Sequence, residues 1–175
     1  TTYSAVITAC EKGGQMEEAL RVFAELRQLY KPDEISYSAS VSACGAGGDW
    51  GRAFGLLEEM KEERTWPDVT TYSAVITACD KGGEVEEALR VFAELRQWHK
   101  PDVISYSSSI SACGAVGDWG RVSLLLEEMM EQWTSPNVVT YNAVITACEG
   151  RMAWDLALEL LKEMRNYVLE PDLIG

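Results

Sequence analysis

The sequence predicts an all-α, right-handed solenoid of five helix-turn-helix repeats, and three series of evenly spaced residues support this prediction. The five cysteines, the five prolines and five of the seven tyrosines each recur at intervals of 34 or 35 residues. They are Cys10, Cys44, Cys79, Cys113 and Cys148; Pro32, Pro67, Pro101, Pro136 and Pro171; and Tyr3, Tyr37, Tyr72, Tyr106 and Tyr141. A period of this length is typical of stacked helical hairpins, because one hairpin cannot bury its apolar side alone.

The first helix of each unit begins near the repeated tyrosine. In the first unit the apolar residues have the spacing i, i+3, i+4 and i+7 that places side chains on one helical face. They are Tyr3, Val6, Ile7 and Cys10. A hydroxyl residue precedes each later tyrosine, and we predict that it caps the helix. These predicted N-caps are Ser36, Thr71, Ser105 and Thr140. Glycine pairs at 13–14, 47–48 and 82–83 are predicted to end the helices.

The second helix of each unit follows the glycines and ends before the proline. In the first unit its apolar face consists of Met16, Ala19, Leu20, Phe23 and Leu26. Asp49 and Asp118 precede the second helices of their units and are predicted N-caps. The proline then closes the unit, because the residue before a proline disfavours the helical conformation.

The units are predicted to form a single domain over residues 1–175, with repeats at about 1–33, 34–68, 69–102, 103–137 and 138–172. The first unit is nearly identical to the third, and the second to the fourth, which indicates duplication of a two-unit block. Because the chain begins without Met and ends where a sixth unit would start, we expect it to be part of a longer protein.

The repeated motif resembles the pentatricopeptide repeat family. Each unit carries Y-S or Y-N, then A-C, and then E-E-A-L or L-L-E-E-M in most units, before P-D or P-N. The opening W-x-x-L-G-x-x-Y of tetratricopeptide repeats is absent from every unit. The strings ISYSSSISACGA and GDWGR are similar to organellar members of the family from algae and protists.

This resemblance implies a module that binds single-stranded RNA in a chloroplast or mitochondrion, with one base read by each repeat. The residue after the tyrosine and the residue after the proline are then expected to contact the base. The candidate pairs are Ser4 with Asp33, Ser38 with Asp68, Ser73 with Asp102, Ser107 with Asn137, and Asn142 with Asp172. The base preferences of the family give the hypothetical site 5′-GGGAU-3′, and a carboxylate, which only accepts hydrogen bonds, suits the N–H groups of guanine.

The resemblance also implies residues that sandwich each base and residues that meet the phosphates. The sandwiching position lies two residues before the tyrosine and is occupied by Thr1, Ile35, Thr70, Ile104 and Val139. The phosphate candidates near the ends of first helices are Lys12 and Lys81. Their equivalents in the other units are Ala46, Ala115 and Gly150.

The net charge limits how strongly such a module can bind RNA. Asp and Glu number 28 and Lys and Arg 15, so the formal charge is −13. A chain of this charge lacks the positive field of a nonspecific nucleic-acid or anionic-membrane binder. With about two phosphate contacts the electrostatic contribution is small, and we expect modest affinity. A purely structural role for the base-contact candidates stays open, because Ser, Asn and Asp are frequent at helix starts.

A protein-interaction scaffold, or an accessory subunit of an organellar complex that does not bind RNA, is the alternative function. Trp66, Trp98 and Trp133 lie just before prolines and would form an aromatic strip suited to a protein interface if they were exposed on one edge. The sequence alone favours the other arrangement, in which each tryptophan covers the end of its own hairpin.

The sequence offers no catalytic, cofactor or metal site. The cysteines form no C-x-x-C motif and are predicted to be small buried residues with free thiols. The single histidine, His99, is predicted to be exposed, and the paired glutamates are predicted to lie on solvated helix faces. No apolar run approaches the ~18 residues of a membrane span, so we expect no membrane insertion. We expect the organellar transit peptide that the family would imply not to be present in this chain.

Overall fold

The computed structural model describes residues 2–149 and Lys162, and within residues 2–149 the chain forms nine α-helices and no strand. The helices are α1 (Thr2–Lys12), α2 (Met16–Leu29), α3 (Glu34–Gly47), α4 (Trp50–Glu62), α5 (Val69–Gly82), α6 (Val85–Trp98), α7 (Val103–Ala115), α8 (Trp119–Glu131) and α9 (Val138–Glu149). They make four helical hairpins and the first helix of a fifth. The predicted all-α helical repeat is confirmed over these residues.

The helices form two rows. Each odd-numbered helix packs against the next odd-numbered helix, and each even-numbered helix packs between its own partner and the first helix of the following unit. The successive second helices α2, α4, α6 and α8 bring no Cα atoms within 8 Å of one another. Since the closer row lies on the inside of a curved array, the first helices form an inner row and the second helices an outer row.

Small residues allow the close approach of the inner row. A Cβ atom added at Gly45 would lie 2.6 Å from the carbonyl oxygen of Ala74, and one at Gly114 would lie 3.1 Å from that of Ala143. The helix backbones therefore meet directly at these two positions. The cysteines contribute to the same core, because Cys44, Cys79, Cys113 and Cys148 are buried and only Cys10 is half-buried. Burial raises the pKa of the Cys44, Cys79 and Cys113 thiols to about 11.

Hydrogen bonds and ion pairs link the outer row to the inner row. The buried tyrosines donate to glutamates of their own second helices: Tyr37 to Glu59 at 3.1 Å, Tyr72 to Glu94 at 2.8 Å and Tyr106 to Glu128 at 3.1 Å. The same glutamates pair with cations of the preceding unit: Arg27 with Glu59 at 2.8 Å, Lys61 with Glu94 at 2.6 Å and Arg96 with Glu128 at 2.7 Å. Burial, together with the adjacent glutamates, raises the pKa of all three phenols.

The first helices are capped by residues other than those predicted. The caps are Asp33, Asp68 and Asp102, whose carboxylates accept from the backbone N–H of Ser36 at 2.9 Å, Thr71 at 2.8 Å and Ser105 at 2.8 Å. Asn137 accepts in the same way from Thr140 at 3.0 Å. The prediction that the hydroxyl residues are N-caps is therefore wrong, because each helix begins three residues earlier and these residues lie within its first turn.

The second helices and the helix ends agree with the sequence. Asp49 and Asp118 accept from the backbone N–H of Arg52 at 3.0 Å and Arg121 at 3.1 Å, as predicted caps should. The C-caps of α3 and α5 are Gly48 and Gly83, whose φ angles of 75° and 76° favour glycine. In the part of the chain that the structure describes, no helix is long and apolar enough to cross a membrane.

Candidate nucleic-acid interface

The sandwiching candidates form a series of exposed side chains, one for each unit. Ile35, Ile104 and Val139 are 61%, 57% and 58% exposed, and Thr70 is also exposed. All four lie in the first turn of an inner-row helix, so the repeat places them at equivalent positions along one side of the solenoid. Three exposed aliphatic side chains in this arrangement provide apolar surface without contributing to the core. Thr1, the fifth candidate, lies outside the described residues.

Two of the predicted base-contact pairs meet in the structure. The hydroxyl of Ser4 lies 3.2 Å from both carboxylate oxygens of Asp33, and the hydroxyl of Ser73 lies 2.9 Å from Oδ1 of Asp102 and 2.8 Å from the carbonyl oxygen of Val69. In both cases the serine of one unit reaches the helix cap of the next. The position after the tyrosine and the position after the proline are therefore neighbours across these two junctions.

The other two pairs in the described chain do not meet. The hydroxyl of Ser38 is hydrogen-bonded to Oγ1 of Thr71 instead of Asp68. The hydroxyl of Ser107 is bonded to Oγ1 of Thr140 at 2.6 Å instead of Asn137. The arrangement alternates along the chain, because Thr stands at these helix starts and Ser stands at the two that close the serine–aspartate pair.

Three of the four serines are less accessible than the residues that follow the prolines, and the fourth, Ser38, is half-buried. Ser4, Ser73 and Ser107 are only 2–3% exposed, whereas Asp33, Asp68 and Asp102 are half-buried and Asn137 is exposed. A ligand that approaches this side of the chain therefore meets the acidic or amide group before it meets the serine. Asn142 is exposed, and its predicted partner Asp172 lies outside the described residues.

The aspartates retain acceptor capacity beyond their capping role. Asp68 and Asp102 use Oδ1 to cap their helices, and their Oδ2 atoms accept no hydrogen bond from any described residue. Asp33 differs, since Ser4 contacts both of its oxygens. Burial alone would raise the pKa of Asp33, but hydrogen bonds from Ser36 and Ser4 hold that pKa below its ordinary value. This carboxylate is therefore ionised at neutral pH.

The phosphate candidates are two separate surface lysines. Lys12 and Lys81 are both exposed, and the ammonium of Lys81 donates to the carbonyl oxygen of Ala46 at 2.8 Å. Lys81 thus also links the ends of two neighbouring inner-row helices. His, Cys, Asp and Glu residues within 2–149 form no group of three or more that could hold a metal ion.

The tryptophans and the histidine are not placed as predicted. Trp66, Trp98 and Trp133 are 74%, 68% and 93% exposed, so none of them covers the end of its hairpin. Each follows or ends a second helix, and Trp133 has a φ of 57° that turns the chain away from the helix axis. His99 is half-buried and not exposed, because Nε2 lies 3.0 Å from the carbonyl oxygen of Pro67 and the ring lies beside Tyr72.

Sequence reasoning did not identify the hydroxyl residues of the first turn as partners of the base-contact candidates. Ser36, Thr71, Ser105 and Thr140 each bond a serine or a cap of the proposed site. The signal was present, because a Ser or Thr precedes every tyrosine of the repeat. Their recurrence at one position fits helix capping equally well, so the sequence alone does not distinguish the two roles.

Models of one family match nearly the whole chain. The pentatricopeptide repeat domain matches residues 90–151 and 125–175, the PPR repeat family matches residues 32–81, and the PPR repeat matches residues 1–29 and 70–99. No curated protein sequence matches the chain significantly.

Solved structures share the fold. The PPR domain of Arabidopsis thaliana protein-only RNase P 1, crystallised with tRNA, aligns with a TM-score of 0.79 at 18% identity over 94% of this chain and 88% of that domain. Maize PPR10 in complex with an 18-nt psaJ RNA element aligns with a TM-score of 0.70 at 31% identity over 94% of this chain. Nuclear proteinaceous RNase P 2 of A. thaliana aligns at 0.79 with 14% identity over 96% of this chain. The chain spans only 28% of PPR10 and 38% of RNase P 2.

Proposed function

This chain belongs to the pentatricopeptide repeat family, and we propose that it is a module that binds single-stranded RNA in organellar RNA metabolism. Maize PPR10, which is 31% identical over the aligned region, was crystallised with an RNA element. The observation that carries the proposal is the repeated pairing of an exposed first-turn side chain with a carboxylate or amide of a neighbouring cap. Ile104 and Asp102 are one such combination.

The proposed mode of binding is one base for each repeat. A base would stack against the exposed aliphatic side chain and present its edge to the residue after the proline. The free Oδ2 atoms of Asp68 and Asp102 suit the N–H groups of guanine, since a carboxylate only accepts. The amide of Asn137 can both donate and accept, which suits adenine. The proposed site remains 5′-GGGAU-3′, with the last base assigned to Asn142 and Asp172.

The charge of the chain sets the expected strength and salt dependence. Three half-buried aspartates line the proposed site, and Lys12 and Lys81 are the only proposed phosphate contacts. For single strands the slope of log K against log salt is about −0.7 for each neutralised phosphate. Two contacts then predict a shallow salt dependence, so base stacking and base-edge hydrogen bonds carry most of the affinity. The module would bind without catalysis of its own.

A reciprocal exchange tests the assignment of bases. Asp102→Asn keeps an acceptor for the helix cap but introduces an amide donor, so the preferred third base should change from G to A. Asn137→Asp should change the fourth base from A to G. Fluorescence anisotropy with labelled GGGAU, GGAAU and GGGGU strands at low and physiological salt measures both changes.

A comparison of the folding of both variants with that of the parent separates a change in base selection from a loss of structure. Circular dichroism of both variants should equal that of the parent chain, because each retains an oxygen that caps its helix. If both variants fold and bind all three RNAs as the parent does, these residues do not select bases. If the parent does not distinguish GGGAU from a scrambled strand, the RNA-binding proposal itself is wrong.

A further inference from the structure

Trp66 and Trp98 form two walls of a cavity between the second and third units. The cavity has a volume of about 440 Å³, within the usual range for ligand pockets. Its remaining walls are Pro67, Tyr72, His99 and the ion pair of Lys61 with Glu94. The cavity lies where α4 and α6 end, and described helices flank it on both sides.

The preceding junction of the solenoid shows that the fold does not require this cavity. Thirty-five residues before Trp66 and Trp98 stand Lys31 and Glu63, which form an exposed ion pair at 3.2 Å. At the next junction two indoles replace this polar pair, yet they stay 74% and 68% exposed. Two large apolar side chains that line one cavity and remain exposed are typical of an interaction site and contribute little to a core.

The charges in the cavity are already compensated. Glu94 accepts from the ammonium of Lys61 at 2.6 Å and from the hydroxyl of Tyr72 at 2.8 Å. Lys61 also pairs with Glu58 of its own helix at 2.8 Å and lies 5.8 Å from the centre of the Tyr72 ring, so its cation is shared between two carboxylates and an aromatic surface. No unpaired formal charge remains on the walls to attract an ionic ligand. The complementary occupant is therefore neutral.

We propose that this cavity binds a proline-rich segment of a partner protein in the polyproline II conformation. The indole N–H groups of Trp66 and Trp98 are donors and find no acceptor among the described residues. A polyproline II chain offers backbone carbonyls that are not bonded internally, together with apolar rings that dock between aromatic side chains. Such a chain can thus cover the apolar walls and accept hydrogen bonds from the two indole N–H groups.

RNA fits the same cavity less well. A base can stack on an indole, but its phosphates would enter a surface of a chain with a formal charge of −13. The cation on the wall, Lys61, is already paired with Glu94. This inference concerns a protein partner and is independent of the RNA-binding proposal.

The test is titration of the ¹⁵N-labelled chain with a ten-residue oligoproline peptide, followed through the indole N–H signals in proton–nitrogen spectra. We expect a saturable shift of two indole signals and no shift with a Gly-Ser peptide of the same length. The double variant Trp66→Lys with Trp98→Glu copies the ion pair of the preceding junction, so it should fold. It should bind oligoproline more than about tenfold more weakly, because hot-spot aromatic residues each contribute above about 1 kcal/mol.

The matched control is Trp133→Lys, which removes a tryptophan that is 93% exposed and lies outside the cavity, and it should leave oligoproline binding unchanged. Anisotropy with GGGAU RNA should be the same for the double variant and the parent, which separates this inference from the RNA-binding proposal. Absence of any oligoproline shift, equal loss in Trp133→Lys, or movement of the two indole signals by RNA would overturn the inference. So would a dimer of the parent chain in sedimentation that the double variant abolishes.

Discussion

The inner and outer rows of the solenoid are held together by different interactions. The inner row of α1, α3, α5, α7 and α9 packs backbone against backbone, with small residues and buried hydroxyls at the contacts. Successive helices of the outer row, α2, α4, α6 and α8, bring no Cα atoms within 8 Å of one another and meet through side-chain ion pairs to glutamates such as Glu59 and Glu94. This difference indicates that stability and the position of the proposed RNA site depend mainly on the inner row.

Two glycines within helices give the sharpest test of this comparison, and we expect the largest effect from it. Gly45→Ala places a Cβ atom 2.6 Å from the backbone oxygen of Ala74, which no side-chain rotation relieves. We predict a loss of about 1–3 kcal/mol, the usual cost of overpacking a core. The shift in urea midpoint, followed by circular dichroism, measures the loss.

Gly55→Ala in the outer row is the matched control. Nothing lies within 4 Å of a Cβ atom added at Gly55, so alanine should stabilise α4 by up to about 1 kcal/mol through its helix propensity. Equal effects of the two substitutions, in either direction, would show that the inner row is not packed more closely than the outer row.

Helix caps give the second comparison. Asp68 caps α5 in the inner row, and its Oδ1 also accepts from the Thr71 hydroxyl at 2.7 Å. Asp49 caps α4 in the outer row by accepting one exposed hydrogen bond from the backbone N–H of Arg52, and its Oδ2 lies 3.3 Å from the exposed Arg52 guanidinium. We expect Asp68→Ala to cost about 1–2 kcal/mol and Asp49→Ala about 0.5–1 kcal/mol, within the known range for lost caps.

Thermal and urea unfolding of the two variants measure the difference. Asp68→Asn serves as the control, because its amide oxygen keeps the cap and should restore most of the stability. A larger loss in the Asp49 variant than in the Asp68 variant would contradict a dominant inner row.

The sequence predicts the helical repeat well because every unit has apolar residues at the same positions to bury against its neighbours. Tyr, Cys and Pro recur at one period, and only stacked hairpins satisfy all three series together. The sequence places the caps three residues too late, because Asp33 and Ser36 are both residue types that cap helices. Only the position of the first helical turn distinguishes them.

The candidate site was less predictable, because it depends on contacts between units. The hydrogen-bond partner of Ser38 or of Ser73 depends on the residue in the first turn of the next helix. That hydrogen bond is a tertiary contact. The exposure of Trp66 and Trp98 depends on how two junctions meet in space. No helical periodicity within a unit encodes that geometry.

Two acidic residues of the inner row should respond to pH in opposite ways. Burial is the largest influence on Asp80 and raises its pKa, so its ionised form destabilises the fold at neutral pH. The pKa of Asp33 is lowered by its hydrogen bonds from Ser36 and Ser4 despite burial, so its ionised form stabilises the fold. That stabilisation is present above the ordinary pKa of 3.8 and is lost as the pH falls through the lowered value.

Asparagine substitutions at these positions separate the two effects in urea midpoints measured at pH 7 and pH 4. Asp80→Asn should stabilise at pH 7, and the gain should shrink at pH 4, where the native carboxyl takes up its proton first. Asp33→Asn should destabilise modestly at pH 7, and most of that loss should remain at pH 4. The same pH response in both variants would show that the two carboxyls do not differ in environment.

The smallest effect is expected from the ion pairs of the outer row. Arg96 pairs with Glu128 at 2.7 Å and lies 5.5 Å from the centre of the Phe92 ring, with its side chain about half exposed. At the equivalent position of the next unit the chain carries Met130, so Arg96→Met copies a residue that the repeat already uses. Methionine keeps the contact with the aromatic ring and removes only the charge. We expect a loss below about 0.5 kcal/mol.

The salt dependence of the urea midpoint shows whether that loss of stability comes from the removed charge. Salt screens an exposed ion pair, and the Debye length shortens from about 14 Å at 0.05 M NaCl to about 4 Å at 0.5 M. The difference in urea midpoint between Arg96→Met and the parent should therefore be smaller at 0.5 M than at 0.05 M NaCl. A loss that matched Gly45→Ala and persisted at high salt would mean that the outer row determines stability. The position of the proposed RNA site would then depend on the ion pairs between outer-row helices as much as on the packing of the inner row.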